Sequence, residues 1–182
     1  MPTPDSLVCR ERESNNLAPL PQNFRQETNR IMPKLRVRSA QIADLDSLMA
    51  FNAAMAMETE QKTLDPKVLR SGISRLLLDP ALGRYMLAMQ GTTIAGALML
   101  TTEWSDWRNG LFWWIQSVYV VPEMRRHGVY RAMHEHVRST ARKTPDVCGI
   151  RLYVERENNT AQQTYLALGM HETVYRLYEE EF

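Results

Sequence analysis

The stretch VYVVPEMRRHGVYRAM, residues 118–133, restricts the chain more than any other segment. An apolar run of strand character ends at Pro122, which cannot donate to a sheet ladder and fixes its own φ. Arg125 and Arg126 follow, then His127 and Gly128, and from Gly128 the apolar spacing changes from strand to helix. A chain that turns from strand into helix at this point exposes the unpaired N–H groups and positive dipole end of the helix. Such a corner binds anions through its backbone, and a glycine there lets a ligand come close. The implied ligand is a phosphate or pyrophosphate held by the amides of Arg126 to Arg131, with His127 able to add an N–H. The competing reading is a plain turn carrying solvated arginines.

The remaining chain supplies a setting for that corner. Residues 1–34 are polar, Pro-rich and without period, a composition that cannot offset the entropy of ordering, and they read as an extension; Met32 offers an alternative start. From Leu35 the pattern tightens into a domain over residues 35–182. LRVRSA alternates as a short strand, and residues 43–57 place Leu45, Leu48, Met49, Ala53 and Met57 at helical spacing. Asp65-Pro66 opens a second helix as cap and first-turn proline, with Val68, Leu69, Ile73, Leu76 and Leu77 as its apolar face, and Asp79-Pro80 stops it. RYMLAMQ, a turn at Gln90-Gly91 and TTIAGALMLTTEW form a hairpin. Residues 111–121 are a long strand, 128–142 a helix and GIRLYVE a strand; residues 159–168 are a helix closed by Gly169, and HETVYRLYEEEF is a final strand. The order β-α-α-β-β-β-α-β-α-β predicts an α/β (α+β) mixed sheet with helices on both faces.

The corner and a later block together resemble the GCN5-related N-acetyltransferase superfamily. The first match is Val120-x-Pro122-x-x-Arg125-x-x-Gly128-Val129, the second Asn158-x-x-Ala161-x-x-x-Tyr165-x-x-x-Gly169-Met170, in family order and from about Leu35 to Phe182 in family arrangement. The resemblance implies a mostly antiparallel sheet of six to seven strands flanked by about four helices. It implies acetyl-CoA as acyl donor. The backbone of Val118, Tyr119 and Val120, on the strand that splays in this fold, pairs with the pantetheine arm. Arg125, Arg126, His127, Gly128, Val129, Tyr130 and Arg131 make the pyrophosphate corner, Asn158 contacts the cofactor arm, and Tyr165 protonates the departing thiolate. That last role is chemically sound: a phenol near pKa 10 can hydrogen-bond or protonate a thiolate near 8.5. The alternative for Tyr165 is a packed aromatic. Two departures stand out. Tyr130 replaces the usual Gly or Ala, so its side chain must point away from the phosphates, and Met170 replaces the commoner Phe, a mild hydrophobic swap.

The acceptor side is less determined. An amine must be neutral to attack, and an alkyl ammonium has a pKa near 10.4, so a proton acceptor is needed. Many relatives of the resembled family carry a Glu on the strand before the corner; here the region reads Trp113-Trp114-Ile115-Gln116-Ser117, without a carboxylate. The candidates left are Glu58 and Glu60 at the end of the first helix, and Glu103 and Asp106 beside Trp104 and Trp107; solvated surface carboxylates, or a backbone carbonyl with a water wire, are the alternatives. Carboxylates beside indole faces suit a cationic amine, so a small amine acceptor is expected, unless the tryptophans are core.

Charge and cysteine content narrow the class. The chain of 182 residues has formal net charge +1 and no basic face, which gives no reason to expect nucleic acid or an anionic membrane. Its apolar runs are strand-sized and its start lacks a signal-peptide pattern, so a cytoplasmic protein is expected. Cys9 and Cys148 suggest no disulfide framework. No metal is expected: His134 and His136 do not share a helix face, and no Cys, Asp or Glu grouping has ligand spacing. The expectation is an acetyl-CoA-dependent N-acetyltransferase of a small amine. A protein N-terminal or lysine acetyltransferase, a non-catalytic acetyl-CoA-binding module and an unrelated nucleotide or RNA binder are the alternatives, and a homodimer stays open.

Overall fold

In a computed structural model, the structure describes residues 34–180 and 182. The expected extension over residues 1–34 lies outside the described residues except for Lys34. Five strands make one sheet in the order β1-β2-β3-β4-β5: β1 Leu35–Ser39, β2 Arg84–Gln90, β3 Thr93–Ser105, β4 Gly110–Val120 and β5 Val147–Leu152. The first four pair antiparallel in chain order, and β5 joins β4 in parallel. The four helices are α1 Leu45–Glu60, α2 Pro66–Leu78, α3 Val129–Ala141 and α4 Asn159–Ala167. No helix among the described residues is long and apolar enough to cross a membrane.

Local chemistry explains most boundaries. Asp65 caps α2 by accepting from Lys67 N at 2.7 Å and Val68 N at 3.3 Å, with Pro66 in the first turn. Asn158 caps α4 by accepting from Ala161 N at 3.0 Å. At the other end Gly169, at φ 85°, closes α4 while Met170 N bonds Tyr165 O at 3.0 Å and Gly169 N bonds Leu166 O at 2.9 Å, the paired bonds of a Schellman cap. Arg38 holds Asp44 through two bonds at 2.7 and 2.8 Å, tying the end of β1 to the turn before α1 and, with burial opposing, lowering the Asp44 pKa.

Each face of the sheet carries its own core. Leu48 of α1 and Ile73 of α2 pack with Tyr85, Leu87 and Ala97 on one face. Val129, Met133, Val137 and Ala141 of α3 pack with Met86, Ala88, Leu98, Leu100, Trp113 and Ile115 on the other. The expected α1 stripe is shifted: Leu48, Asn52 and Ala56 are buried, whereas Ala53 and Met57 are exposed, and Val68 of α2 is exposed as well. Asn52 enters the core because its amide donates to Leu48 O at 2.8 Å and to the Tyr85 hydroxyl at 3.4 Å.

The expected six to seven strands become five among the described residues, because HETVYRLYEEEF forms no strand. Its alternating apolar pattern meets no neighbouring strand here, and strand propensity without a partner does not make a strand. GIRLYVE is likewise shortened and shifted, to Val147–Leu152.

Two stability predictions follow from the α3 face. Leu98, wholly buried, should cost about 2–5 kcal/mol on Leu98→Ala, read as a lower melting temperature and denaturant midpoint. His134 is 2% exposed and its Nδ1 has no partner among the described residues. Burial, then the nearby Arg138, lowers its pKa below the ordinary 6.5, with Glu135 opposing. The unfolded state therefore binds the proton more readily, so stability should be fully present above about pH 6.5 and fall as pH drops below it. His134→Gln should flatten that acid limb in melting curves between pH 5 and 7.

Candidate functional site

β4 carries one residue more than β3 across from it. Met99 faces Gln116 and Ala97 faces Tyr119, so Ser117 and Val118 together oppose Leu98. Ser117 sits at φ 47°, the left-handed conformation of a bulge. Beneath it the Tyr85 hydroxyl lies in reach of Asn52 and of the Ser117 side chain, and burial raises the Tyr85 pKa. The bulge therefore rests on a buried polar group rather than on a loop. β5 pairs with β4 only from Leu111 to Ile115, while β4 runs on to Val120. The backbone of Val118, Tyr119 and Val120 is thus left without a strand on its β5 side among the described residues, an open edge of N–H and C=O groups.

That edge runs directly into the corner. A short turn, Pro122–Met124, follows Val120; Arg126 lies at φ 65° and Gly128 at φ 78°. A Cβ on Gly128 would meet nothing within 4 Å, so the glycine is needed for its backbone conformation and faces open space. The amides of Val129, Tyr130 and Arg131 precede the first helical bond, Ala132 N to Gly128 O at 2.9 Å, and form the positive end of α3. Gly96 in β3 makes this approach possible: a Cβ there would lie 2.7 Å from Tyr119 O and 3.2 Å from Val129 Cγ1.

Side chains brace the corner. Arg125 donates to Val120 O at 3.0 Å and to Glu58 at 2.6 Å, and stacks 5.6 Å from the Tyr119 ring centroid. The Tyr119 hydroxyl donates to the same Glu58 at 3.3 Å. His127 turns back through Nδ1 to Arg125 O at 2.8 Å. Arg125 is therefore a strut between β4 and α1.

Tyr130 packs its side chain between α3 and α4. Its ring packs edge-on against Tyr165 at 5.5 Å and near His134 at 6.0 Å, with its hydroxyl buried and unpartnered among the described residues. Burial, then the neighbouring Tyr165, pushes its pKa up. Burial raises Tyr165 too, so both phenols stay protonated at neutral pH. Tyr165 thereby stands against Tyr130 in the first turn of α3 with its phenol protonated. Asn158 has its carbonyl oxygen committed to the α4 cap, which leaves its amide N–H to donate.

The structure does not bring the candidate carboxylates together. Glu58 lies beside Tyr119. Glu103 pairs in register with Phe112, seven residues back along β4, or roughly 20 Å away. There Glu103 accepts from Trp114 Nε1 and from Arg151 at 2.7 Å, and Arg151 stacks 3.7 Å over Phe112. Gln116 donates to Thr101 at 2.6 Å. Asp106 accepts from the Trp107 amide at 2.8 Å, while Glu60 is exposed at the end of α1. Trp104 and Trp107 are exposed at the far end of the β3–β4 hairpin, away from the bulge. Sequence reasoning missed Arg151, Thr101 and the Tyr85–Ser117 support, because each acts across strands and only register reveals the partner.

A protein-family model described as the acetyltransferase (GNAT) family matches residues 46–170. A crystal structure of a possible acetyltransferase from Clostridium difficile 630 is 43% identical, covers 81% of this chain and 97% of its own, and superposes with TM-score 0.76. A predicted acetyltransferase from Clostridium acetobutylicum solved with acetyl-CoA is 16% identical over 81% of this chain and 96% of its own, TM-score 0.65, and a ribosomal-protein-alanine N-acetyltransferase from Brucella melitensis biovar Abortus 2308 is 13% identical over 82% and 99%, TM-score 0.67. These last two share the fold. A search of curated protein sequences gives no match.

The corner makes a charge prediction separable from backbone strain. Asp and Asn both tolerate the left-handed conformation of Gly128, but only Asp adds a negative charge. Gly128→Asp should weaken coenzyme A binding at least about tenfold more than Gly128→Asn in calorimetric titration. Equal losses would place the anion elsewhere.

Proposed function

The chain belongs to the acetyltransferase (GNAT) family and is an N-acetyltransferase; from that premise we propose that it moves the acetyl group of acetyl-CoA directly onto a small primary amine held in the same ternary complex. The observation that carries this reading is one continuous surface: the open β4 edge after the bulge, ending in the unpaired amides of α3, with Tyr165 against the first turn of α3. Its parts match in order the needs of an extended amide-bearing arm, a pyrophosphate and a leaving thiolate. Acetyl-CoA would supply the thioester, and the residues fit it: an open peptide edge, a cradle with free space before Gly128, and Tyr130 folded out of the way.

In this reading Val118, Tyr119 and Val120 orient the arm through their backbone, and the bulge amide near Val118 polarises the thioester carbonyl. The amides of Arg126 to Arg131 hold the pyrophosphate, and Asn158 donates from its amide. Tyr165, kept protonated by burial, gives its proton to the sulfur. Glu58, beside Tyr119 at the bulge, takes the proton of the attacking amine through water. Glu103 lies opposite Phe112, seven residues back along β4 from Tyr119 and roughly 20 Å from the bulge, and suits a wall beyond the reacting centre rather than a base. Arg151 already sits on Phe112 and Glu103, so the cationic acceptor is proposed from the exposed carboxylates Glu58 and Glu60 at the end of α1. The catalytic domain spans residues 35–182, with residues 1–34 as an extension, in the cytoplasm.

Tyr165→Phe should lower kcat about a hundredfold or more while leaving acetyl-CoA affinity within about twofold. Equal loss of both would make Tyr165 a packing residue. Because burial holds the Tyr165 pKa above its usual 10, its loss of a proton should not limit kcat below about pH 10. Binding itself is tested by thermal shift: acetyl-CoA at about a hundred times its dissociation constant should add roughly 2.7 kcal/mol of stability, with adenosine as the inactive control. A thiol-release screen over amines should favour cationic acceptors, and activity only on neutral or acidic ones would sink the cationic cleft.

A further inference from the structure

The α3 face of the sheet is not covered to its end. Where β2 begins and the second half of α3 passes over it, a cavity of about 260 Å³ remains. It lies apart from the corner that opens α3. His136 and Thr140, which line it, stand roughly 12 and 18 Å along the helix from Gly128. Trp113, in its floor, lies seven residues back along β4 from Val120, or roughly 20 Å away. The floor is apolar and buried, made by Met86, Leu100, Trp113 and Val137. The rim is polar and, among the described residues, carries no carboxylate.

Arg84, at the mouth of this cavity, is the group that the arrangement leaves unsatisfied. It opens β2, and its guanidinium lies 4.1 Å from the Trp113 ring centroid. Burial against that wall lowers its pKa, and no acid opposes the shift. Arg125 and Arg151 also lie over aromatic rings, but each has a carboxylate, Glu58 at 2.6 Å and Glu103 at 2.7 Å. Arg84 has neither an ion pair nor a hydrogen bond among the described residues. Stacking occupies the face of its guanidinium and leaves the N–H edges free. Other donors share the cavity. The Ser39 hydroxyl donates only to the Met86 thioether at 3.7 Å, a weak acceptor that an anionic oxygen would displace. His136 adds a ring N–H. The hydroxyls of Thr140 and Thr144 are already committed, to His136 O at 2.8 Å and Thr140 O at 2.9 Å.

We propose that this cavity is a second binding site, for a free carboxylic acid with a compact apolar body, whose carboxylate meets Arg84 and Ser39 and whose body lies on Met86, Leu100 and Trp113. One planar guanidinium fork matches one carboxylate through two parallel hydrogen bonds. A phosphate of two charges would meet a single arginine and an apolar floor, and suits the site badly. The volume falls just below the roughly 300 Å³ at which pockets for drug-sized ligands begin, so the body is about the size of a benzoate ring. Because the cavity stands apart from the bulge and the corner, its ligand binds beside coenzyme A and not in competition with it.

Calorimetric titration of the full chain with sodium benzoate at constant ionic strength tests the site, with benzamide as a neutral probe of the same shape. The expected result is one benzoate per chain with a dissociation constant of about 1 mM or tighter, and benzamide at least about tenfold weaker. Arg84→Gln, which keeps a polar side chain at an exposed position, should weaken benzoate at least about tenfold. Thr140→Phe, at an exposed position of α3, fills the mouth of the cavity and should weaken it by a similar factor. Circular dichroism and melting check that both variants are folded. Saturating coenzyme A should leave benzoate affinity within about twofold. No benzoate binding, equal binding of benzamide, displacement of benzoate by coenzyme A, or a folded Arg84→Gln variant that binds as the parent does would each overturn the proposal.

Discussion

The extra residue in β4 is the constraint on which the rest depends. A regular strand would keep its N–H and C=O groups in the ladder and run flat against its neighbours. The bulge at Ser117 and Val118 breaks the register with β3 and re-aims the backbone as the strand passes the end of β5. Such a defect persists only if its surroundings hold it. Here the hydroxyl of buried Tyr85 and the side chain of Asn52 sit below Ser117, and Gly96 lets β4 and the start of α3 close onto β3. The open β4 edge is thus a consequence of one local irregularity and its buried support.

The second organising element is the aromatic contact between α3 and α4. A tyrosine in the first turn of α3 would cover the unpaired amides of the helix if it pointed forward. Tyr130 instead lies back against Tyr165 and His134, filling the space between the helices. Its buried hydroxyl has no partner among the described residues, which costs on the order of 1–3 kcal/mol unless water reaches it. The contact fixes the position of Tyr165 relative to the helix N-terminus, and the same burial keeps that phenol protonated.

The charged groups divide by what they touch. Glu58 and Arg125 are each about half exposed, and such a pair stabilises the fold by little, typically below about 1 kcal/mol. Its value is positional, since it links the end of α1 to the β4 edge. Glu103 and Arg151 work with Trp114 and Phe112 as a cross-strand cluster on the same sheet face. One carboxylate therefore belongs to the bulge and the other to the wall beyond it.

Much of the fold was legible in local chemistry. Asp65-Pro66, Asp79-Pro80, Gln90-Gly91, Gly128 and Gly169 mark boundaries through their own backbone preferences, and those boundaries hold in the structure. The corner and its glycine were legible for the same reason: a left-handed residue opening a helix is a property of a few consecutive residues. Register, partnership and distance were not. Nothing in the spacing of Ser117 announces a bulge, because a bulge is a mismatch between two strands. The separation of Glu58 from Glu103, the burial of Asn52 and the turning back of Tyr130 each depend on what another element places opposite. HETVYRLYEEEF shows the limit most clearly, since its pattern says that it can be a strand while only the tertiary structure says whether an edge is there to receive it. The sequence alone determined most of the elements, their ends and the strand-to-helix corner, because these are decided by neighbours along the chain; the tertiary structure decided which groups face one another, because that energy comes from burial and pairing between residues far apart in sequence.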